Sequence, residues 1–354
     1  MHADHAAFLR AIRAAPDDDL PRLIYADYLD ERGDPRGEFI RLQIERPRLA
    51  RDDTRRAKLK AREDELLREH RAEWEGPLED IVSGVIFRRG FIDDVLVMAE
   101  KLLPNVEMLF AWAPITSLRL KDTFGHLRAI IARPELAGLT ALELCYDDLG
   151  AREAAVIAAS PHLVRLRELN LNYNRFGDSG VTALAASPAL GNLEVLHLED
   201  CDLSSEAVAT LAASKLKRLR ALALSDNKFG SAGVAALTAA PFLRQFAALN
   251  LTSVRLGDAG AVRLADAPSV GGLTWLRLGY NSIRDAGAAA LARSLHLRGL
   301  AVLDLNGNAI GDAGAAAILD APHLRGLARL ELSVNPLSRA MRQRIDDAFG
   351  ERWG

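Results

Sequence analysis

The frame Leu-x-x-Leu-x-Leu-x-x-Asn recurs along this chain at a nearly fixed step. It starts at Leu139, Leu166, Leu193, Leu219, Phe246, Leu273 and Leu300, and a terminal copy starts at Leu327. Every step is 27 residues except that from Leu193 to Leu219, which is 26. Independently folding globules do not produce such a register. Each unit must bury its apolar face by stacking on its neighbours, which makes the array a solenoid.

The positions within a unit divide by task. The segment around the two closely spaced leucines alternates with period two and predicts a short strand. Asp178, Ser205, Ser231, Asp258, Asp285 and Asp312 share one equivalent position and are expected to cap the helices that they start. Pro134, Pro161, Pro188, Pro241, Pro268 and Pro322 mark the helix ends, since proline cannot extend a helix. Asn174, Asn227, Asn281, Asn308 and Asn335 predict a ladder of side chains bonded to backbone at the turn leaving each strand. Asp147 and Cys201 are tolerable substitutes in that column. Val254 is not, and predicts an irregular turn. The short step falls where Ser214-Lys215-Leu216 replaces a Ser-Pro-x-Leu link, in a loop that tolerates deletion.

Residues 1–75 lack the frame and predict four helices, near 6–15, 20–29, 38–49 and 55–73. Residues 76–138 read as the entry to the array: a β-prone stretch Val82–Phe91, a helical stretch Val95–Leu109, and a degenerate first unit around Ile115, Leu118 and Leu120. Residues 139–336 hold the repeats, and 337–354 predict a closing helix.

Composition narrows the function. A net charge of −3 gives no global field toward nucleic acid or an anionic membrane. No stretch reaches the length of a membrane span, and no basic region precedes an apolar run at the start. Cys145 and Cys201 lie two units apart, roughly 10 Å at about 4.8 Å per strand, too far for a disulfide. Free thiols point to a reducing compartment, so a cytoplasmic location is expected. There is no Gly-x-x-x-x-Gly-Lys-Ser/Thr, His-Glu-x-x-His or Cys-x-x-Cys, so neither an enzyme nor a cofactor or metal site is expected.

The frame, the Gly-Asp-Ala-Gly signature at the helix start and the near-28 period resemble the ribonuclease-inhibitor-like class of leucine-rich repeats over about residues 113–337. That resemblance implies an α/β fold: a right-handed leucine-rich repeat solenoid, a horseshoe with parallel strands inside and helices outside, behind a small all-α domain. The string Leu23-Ile24-Tyr25-Ala26-Asp27-Tyr28-Leu29-Asp30-Glu31-Arg32-Gly33-Asp34-Pro35-Arg36-Gly37-Glu38-Phe39-Ile40 resembles the repeat-companion domain of planctomycete and myxobacterial proteins. Arg89-Gly90-Phe91 resembles the segment joining that domain to its repeats. The resemblance implies a bacterial interaction protein and assigns no catalytic residue.

Once leucines, asparagines, caps and prolines are assigned to architecture, a few strand positions on the concave face remain. One patch is Trp275, Arg277 and Tyr280, with Asp304 on the next strand and Asn250 on the preceding one. Aromatic residues and arginine dominate interface energetics. A second patch, Tyr146, Tyr173, Glu143, Glu168, Glu199 and Asp200, is acidic with two aromatics and suits a basic partner. Alanines 221, 223 and 248 with Ser225 leave a low floor between them. The expected function is a monomeric, non-catalytic scaffold that binds a protein, with neither nucleic acid nor membrane. A regulator of an NTPase, such as a GTPase-activating protein acting in trans, is the alternative.

Overall fold

In a computed structural model, residues 3–350 are described, so positions 351–354 of the expected closing segment lie outside them. The chain divides into two compact units, Met1–Glu143 and Leu144–Gly354.

The first unit starts with four helices: α1 (Ala3–Ala14), α2 (Leu20–Asp30), α3 (Arg36–Arg48) and α4 (Arg55–Glu75). Leu9, Ile12, Tyr25, Ala26, Leu29, Ile40 and Ile44 form one buried cluster, which Phe91 completes. Phe91 opens β2 (Phe91–Met98), antiparallel to β1 (Val82–Arg88). In the two-residue link between them, φ is +51° at Arg89 and +85° at Gly90. Positive φ at both positions is the backbone of a tight hairpin turn. The turn is docked on α3. Gln43 accepts the Gly90 amide at 2.8 Å, Arg36 donates to the Gly90 carbonyl at 3.1 Å, and a Cβ on Gly90 would lie 2.1 Å from Ile40.

One expectation for this region changes. Val95–Met98 is strand, and the helix α5 starts only at Ala99 (Ala99–Trp112). β2 is buried along most of its length, so it lacks the polar alternation that announces a strand. It pairs in parallel with β3 (Ser117–Lys121), the first repeat-like strand. The helix α6 (Leu127–Ile131) and β4 (Ala141–Leu144) follow.

The second unit is a regular stack. Seven strands run parallel and in chain order: β5 (Glu168–Asn170), β6 (Val195–His197), β7 (Ala221–Ala223), β8 (Ala248–Asn250), β9 (Trp275–Arg277), β10 (Val302–Asp304) and β11 (Arg329–Glu331). The central leucines pair in register, Leu169 with Leu196, then Leu222, Leu249, Leu276, Leu303 and Leu330. All seven are buried. Burying each contributes about 1.5–3 kcal/mol. The 26-residue step leaves the register intact, because its missing residue is absorbed between α9 (Ser205–Ala212) and β7.

One helix precedes each later strand: α7 (Ala151–Ala158), α8 (Gly177–Ala186), α9, α10 (Gly230–Ala239), α11 (Gly257–Ala265), α12 (Asp285–Arg293) and α13 (Asp312–Asp320). The helix α14 (Arg339–Phe349) closes the array, burying Met341, Ile345 and Phe349.

The acids of the cap column do not cap their own helices. Asp178, Asp258, Asp285 and Asp312 lie inside the first turn, where they cannot reach their own leading amides. They reach the next unit instead. Asp258 accepts the amides of Arg284 (2.7 Å) and Gly287 (2.9 Å), and Asp285 those of Gly311 (2.7 Å) and Gly314 (3.0 Å). Asp178 accepts Ser204 N at 2.9 Å, and Asp312 accepts Ser338 N at 2.9 Å. Each carboxylate therefore fills leading amides of the following helix, which that helix cannot satisfy internally.

The asparagine ladder forms as expected. Asn281 accepts the amides of Val254 (2.9 Å) and Leu256 (3.1 Å) and donates to the carbonyls of Leu251, Leu278 and Gly279. Asn174, Asn227, Asn308 and Asn335 repeat this arrangement in whole or in part. The irregular turn expected at Val254 does not occur. Ser253 and Arg255 keep φ of +57° and +61°, matching Tyr280 and Ser282 one unit on. Asn281 from the following unit fixes this turn, so Val254 leaves out one rung without disturbing the backbone.

Candidate functional site

Two positions after the third leucine of each frame the backbone turns left-handed. Tyr146, Tyr173, Asp200, Asp226, Ser253, Tyr280, Gly307 and Val334 all have φ between +47° and +63°. The tyrosines thus stand on the turns beyond the strands rather than on the strands. For residues other than glycine this conformation costs about 1–2 kcal/mol, and a bulky aromatic is an uncommon occupant.

Tyr146 and Tyr173 are 66% and 39% exposed, and their rings stack with centroids 4.2 Å apart at 9°. A hydrogen bond with Tyr146, and then burial, push the Tyr173 phenol up to about 12. The pair borders a shallow depression with Asp148, Arg175, Asp200 and Asp202; Arg175 pairs with Asp148 at 3.0 Å. The sequence reading singled out Asp200 here and missed Arg175, Asp148 and Asp202. Their signal was charge immediately flanking the asparagine column.

The remaining acidic candidates are engaged elsewhere. Glu199 accepts from Ser225 Oγ (2.5 Å), Asn250 Nδ2 (2.9 Å) and Asn172 Nδ2 (2.7 Å), so its carboxylate knits four units together. Asn250 donates into this network and also lies beside Arg277 in the β8–β9 register. Glu168 lies 3.6 Å from His197. Glu143 is half-buried and belongs to the first unit.

At the other patch the expected neighbours meet. The Arg277 guanidinium lies 4.6 Å from the centroid of the Trp275 ring, and its Nε is 3.7 Å from Asp304. Burial raises the Asp304 carboxyl above the usual range, against the Asn306 amide and Arg277, which act to lower it. Tyr280 is 53% exposed, and its ring covers the Gly307 backbone, where a Cβ would lie 2.4 Å from it. Among the described residues no group of three or more His, Cys, Asp or Glu could hold a metal ion. No helix among them is long and apolar enough to cross a membrane.

The Leucine Rich repeat family profile matches residues 165–185, 217–237, 273–292 and 296–319. These segments are leucine-rich repeats. Three solved structures are similar to the chain. A protein from Bacteroides fragilis is 13% identical with a TM-score of 0.50, covering 84% of this chain and 83% of that one. An internalin from Listeria monocytogenes is 19% identical with a TM-score of 0.34, covering 69% and 85%. A chain of the Rad7–Elc1 complex in yeast is 14% identical with a TM-score of 0.42, covering 72% and 79%. No curated protein matches the chain.

Proposed function

We propose that this leucine-rich repeat protein is a non-catalytic scaffold that binds a protein partner along the open strand face and the turns beside it. The observation that carries this reading is the placement of Tyr146, Tyr173 and Tyr280, large and exposed, at left-handed turn positions where folding alone favours glycine or asparagine. Strain held at a surface position is an argument for use of that position. Trp275 and Arg277 lie on the strand leading into the Tyr280 turn, adding the residue types enriched at interface centres. Repeat solenoids characteristically present extended binding surfaces of this kind.

The binding residues in this reading are Tyr146, Tyr173, Asp200 and Glu168 at one end and Trp275, Arg277, Tyr280 and Asp304 at the other. Glu199 and Asn250 support the surface. A role as an NTPase regulator in trans would need a free arginine or asparagine. Arg277 is held by Trp275 and Asp304, and Asn250 by Glu199, which favours binding over catalysis. The same reading makes the chain a monomer in a reducing, cytoplasmic setting, consistent with buried free Cys145 and Cys201. It also takes residues 1–75, the four-helix part of the first unit, as a repeat-companion domain of bacterial type. Affinity capture from native lysate, comparing wild type with a Trp275→Ala/Tyr280→Ala variant, tests the site. Loss of specific partners from the variant is expected; retention of the same partners would exclude the Trp275 patch.

A further inference from the structure

The loops that enter the strands of the second unit carry a row of cations. Two positions before the first leucine of a frame, Lys217, Arg244, Arg298 and Arg325 share one column. Arg218 and Arg220 stand on either side of Leu219, at the entry to β7. All six side chains are exposed. The stack holds these loops side by side. Ala247 donates its amide to the Arg220 carbonyl at 3.2 Å, Gln245 donates to the Lys217 carbonyl, and Ala328 donates its amide to the Ala301 carbonyl at 2.7 Å. Neighbouring strands lie about 4.8 Å apart, so Lys217 adjoins Arg244 and Arg298 adjoins Arg325. Gly271 and Gly272, both exposed, leave the unit between the two pairs without side chains.

Countercharge is scarce along this edge. Among the described residues none of the six is in a salt bridge. In the three columns that hold them, from Gly191 to Ala328, the one acid is the half-buried Glu194. Acids on either flank are engaged away from the row: Asp320 with Arg344 at 2.6 Å, Asp304 with Arg277 at 3.7 Å, and Glu331 with Arg329. Asp266 lines a separate depression with Arg293. Like charges in adjoining units repel, so the stack itself gains nothing from this row.

The surroundings select the kind of anion. No aromatic residue occurs in these columns, and the nearby Phe242 and Phe246 are buried, so the bases of a single-stranded nucleic acid would find no stacking surface. A duplex or a membrane would cover the flanking acids as well, and the chain as a whole carries a charge of −3. A narrow polyanion made of carboxylates meets neither obstacle, and guanidinium groups pair with carboxylates in two-pronged fashion.

We propose that the strand-entry edge, from Lys217 to Arg325, docks an acidic polypeptide segment of a partner protein. This surface is separate from the tyrosine turns, which lie at the other end of the strands.

The test is fluorescence anisotropy of the full chain with a dye-labelled peptide of twelve glutamates, beside a twelve-nucleotide oligouridylate and vesicles of phosphatidylserine and phosphatidylcholine. The peptide is expected to bind the wild type more tightly than either competitor, and to weaken as salt rises. Lys217→Glu/Arg218→Glu should weaken it tenfold or more, while Arg263→Glu, an exposed charge reversal on α11, should change it less than twofold. Trp275→Ala/Tyr280→Ala should bind the peptide as the wild type does, which separates this edge from the site proposed above. As a readout free of substitution, bound peptide should slow acetylation of Lys217 in the wild type. Absence of peptide binding at low salt, tighter binding of the oligonucleotide or the vesicles, an effect of Lys217→Glu/Arg218→Glu below tenfold, or an equal loss with Arg263→Glu or with Trp275→Ala/Tyr280→Ala would overturn the proposal. Unchanged acetylation of Lys217 at saturation would do the same.

Discussion

Asp285 accepts the backbone amide of Gly314 at 3.0 Å across the boundary between two repeats. The same oxygen takes the Gly311 amide at 2.7 Å. Glycine at 314 is what allows it, since a Cβ there would stand 2.7 Å from that oxygen and 2.9 Å from the Asp285 Cα. The Gly-Asp-Ala-Gly signature is thus two halves of one joint. The acid is offered to the following repeat, and the second glycine receives the acid of the preceding one.

Asp285→Ala should lower stability by about 1–2 kcal/mol, the range for a lost helix cap. The loss should appear as a lower urea midpoint with reduced cooperativity at the α12–α13 boundary. A ΔΔG below about 0.3 kcal/mol would mean that water replaces the carboxylate without loss.

Asp312 makes the corresponding bond to Ser338 at the base of α14, and hydrogen bonding to Ser338 lowers its carboxyl below the ordinary 3.8. A depressed acid contributes stability that is complete above its unfolded value and disappears as the pH falls through the folded one. The stability difference between wild type and Asp312→Asn should therefore be constant above about pH 5 and shrink as the pH drops below about 3.8. Thermal melts across that interval check it, and a difference independent of pH would exclude this linkage.

The ladder predicts an asymmetric pair of variants. Asn281→Val strands two buried amides and three carbonyls, and should cost about 2–4 kcal/mol. Val254→Asn places a carboxamide in the one column position that lacks a polar side chain, and should be neutral or stabilising by up to about 1 kcal/mol. Chemical denaturation of both separates a ladder from simple packing. Equal destabilisation by the two substitutions would show that side-chain volume, not hydrogen bonding, governs the column.

Exposed tyrosines at left-handed turns should be dispensable for folding. Tyr146→Asn/Tyr173→Asn removes a stacked pair worth about 0.5–1.5 kcal/mol and relieves two unfavourable backbone positions. The net change in stability should stay within about 1 kcal/mol, while partner capture is reduced. A large loss of stability would make the stack structural and remove the main support for binding at that end.

The leucine register and the asparagine ladder were legible because each serves buried groups at a strict period. The meeting of Trp275, Arg277 and Asp304 followed from the same register. The reach of Asp258 and Asp285 did not. In a repeating sequence a residue and its equivalent one repeat on look alike, so pattern alone does not say which helix an acid serves. The strand Phe91–Met98 escaped because burial along most of its length erases alternation. Val254 misled because the turn it occupies is fixed by Asn281, a full repeat away.

The left-handed step accepts Tyr, Asp, Ser, Gly and Val at equivalent places, while φ stays between +47° and +63°. Shape and identity are therefore uncoupled along that row. Each turn offers one writable letter on a fixed line, and a new specificity can be spelled there by single substitutions that leave the stack unaltered.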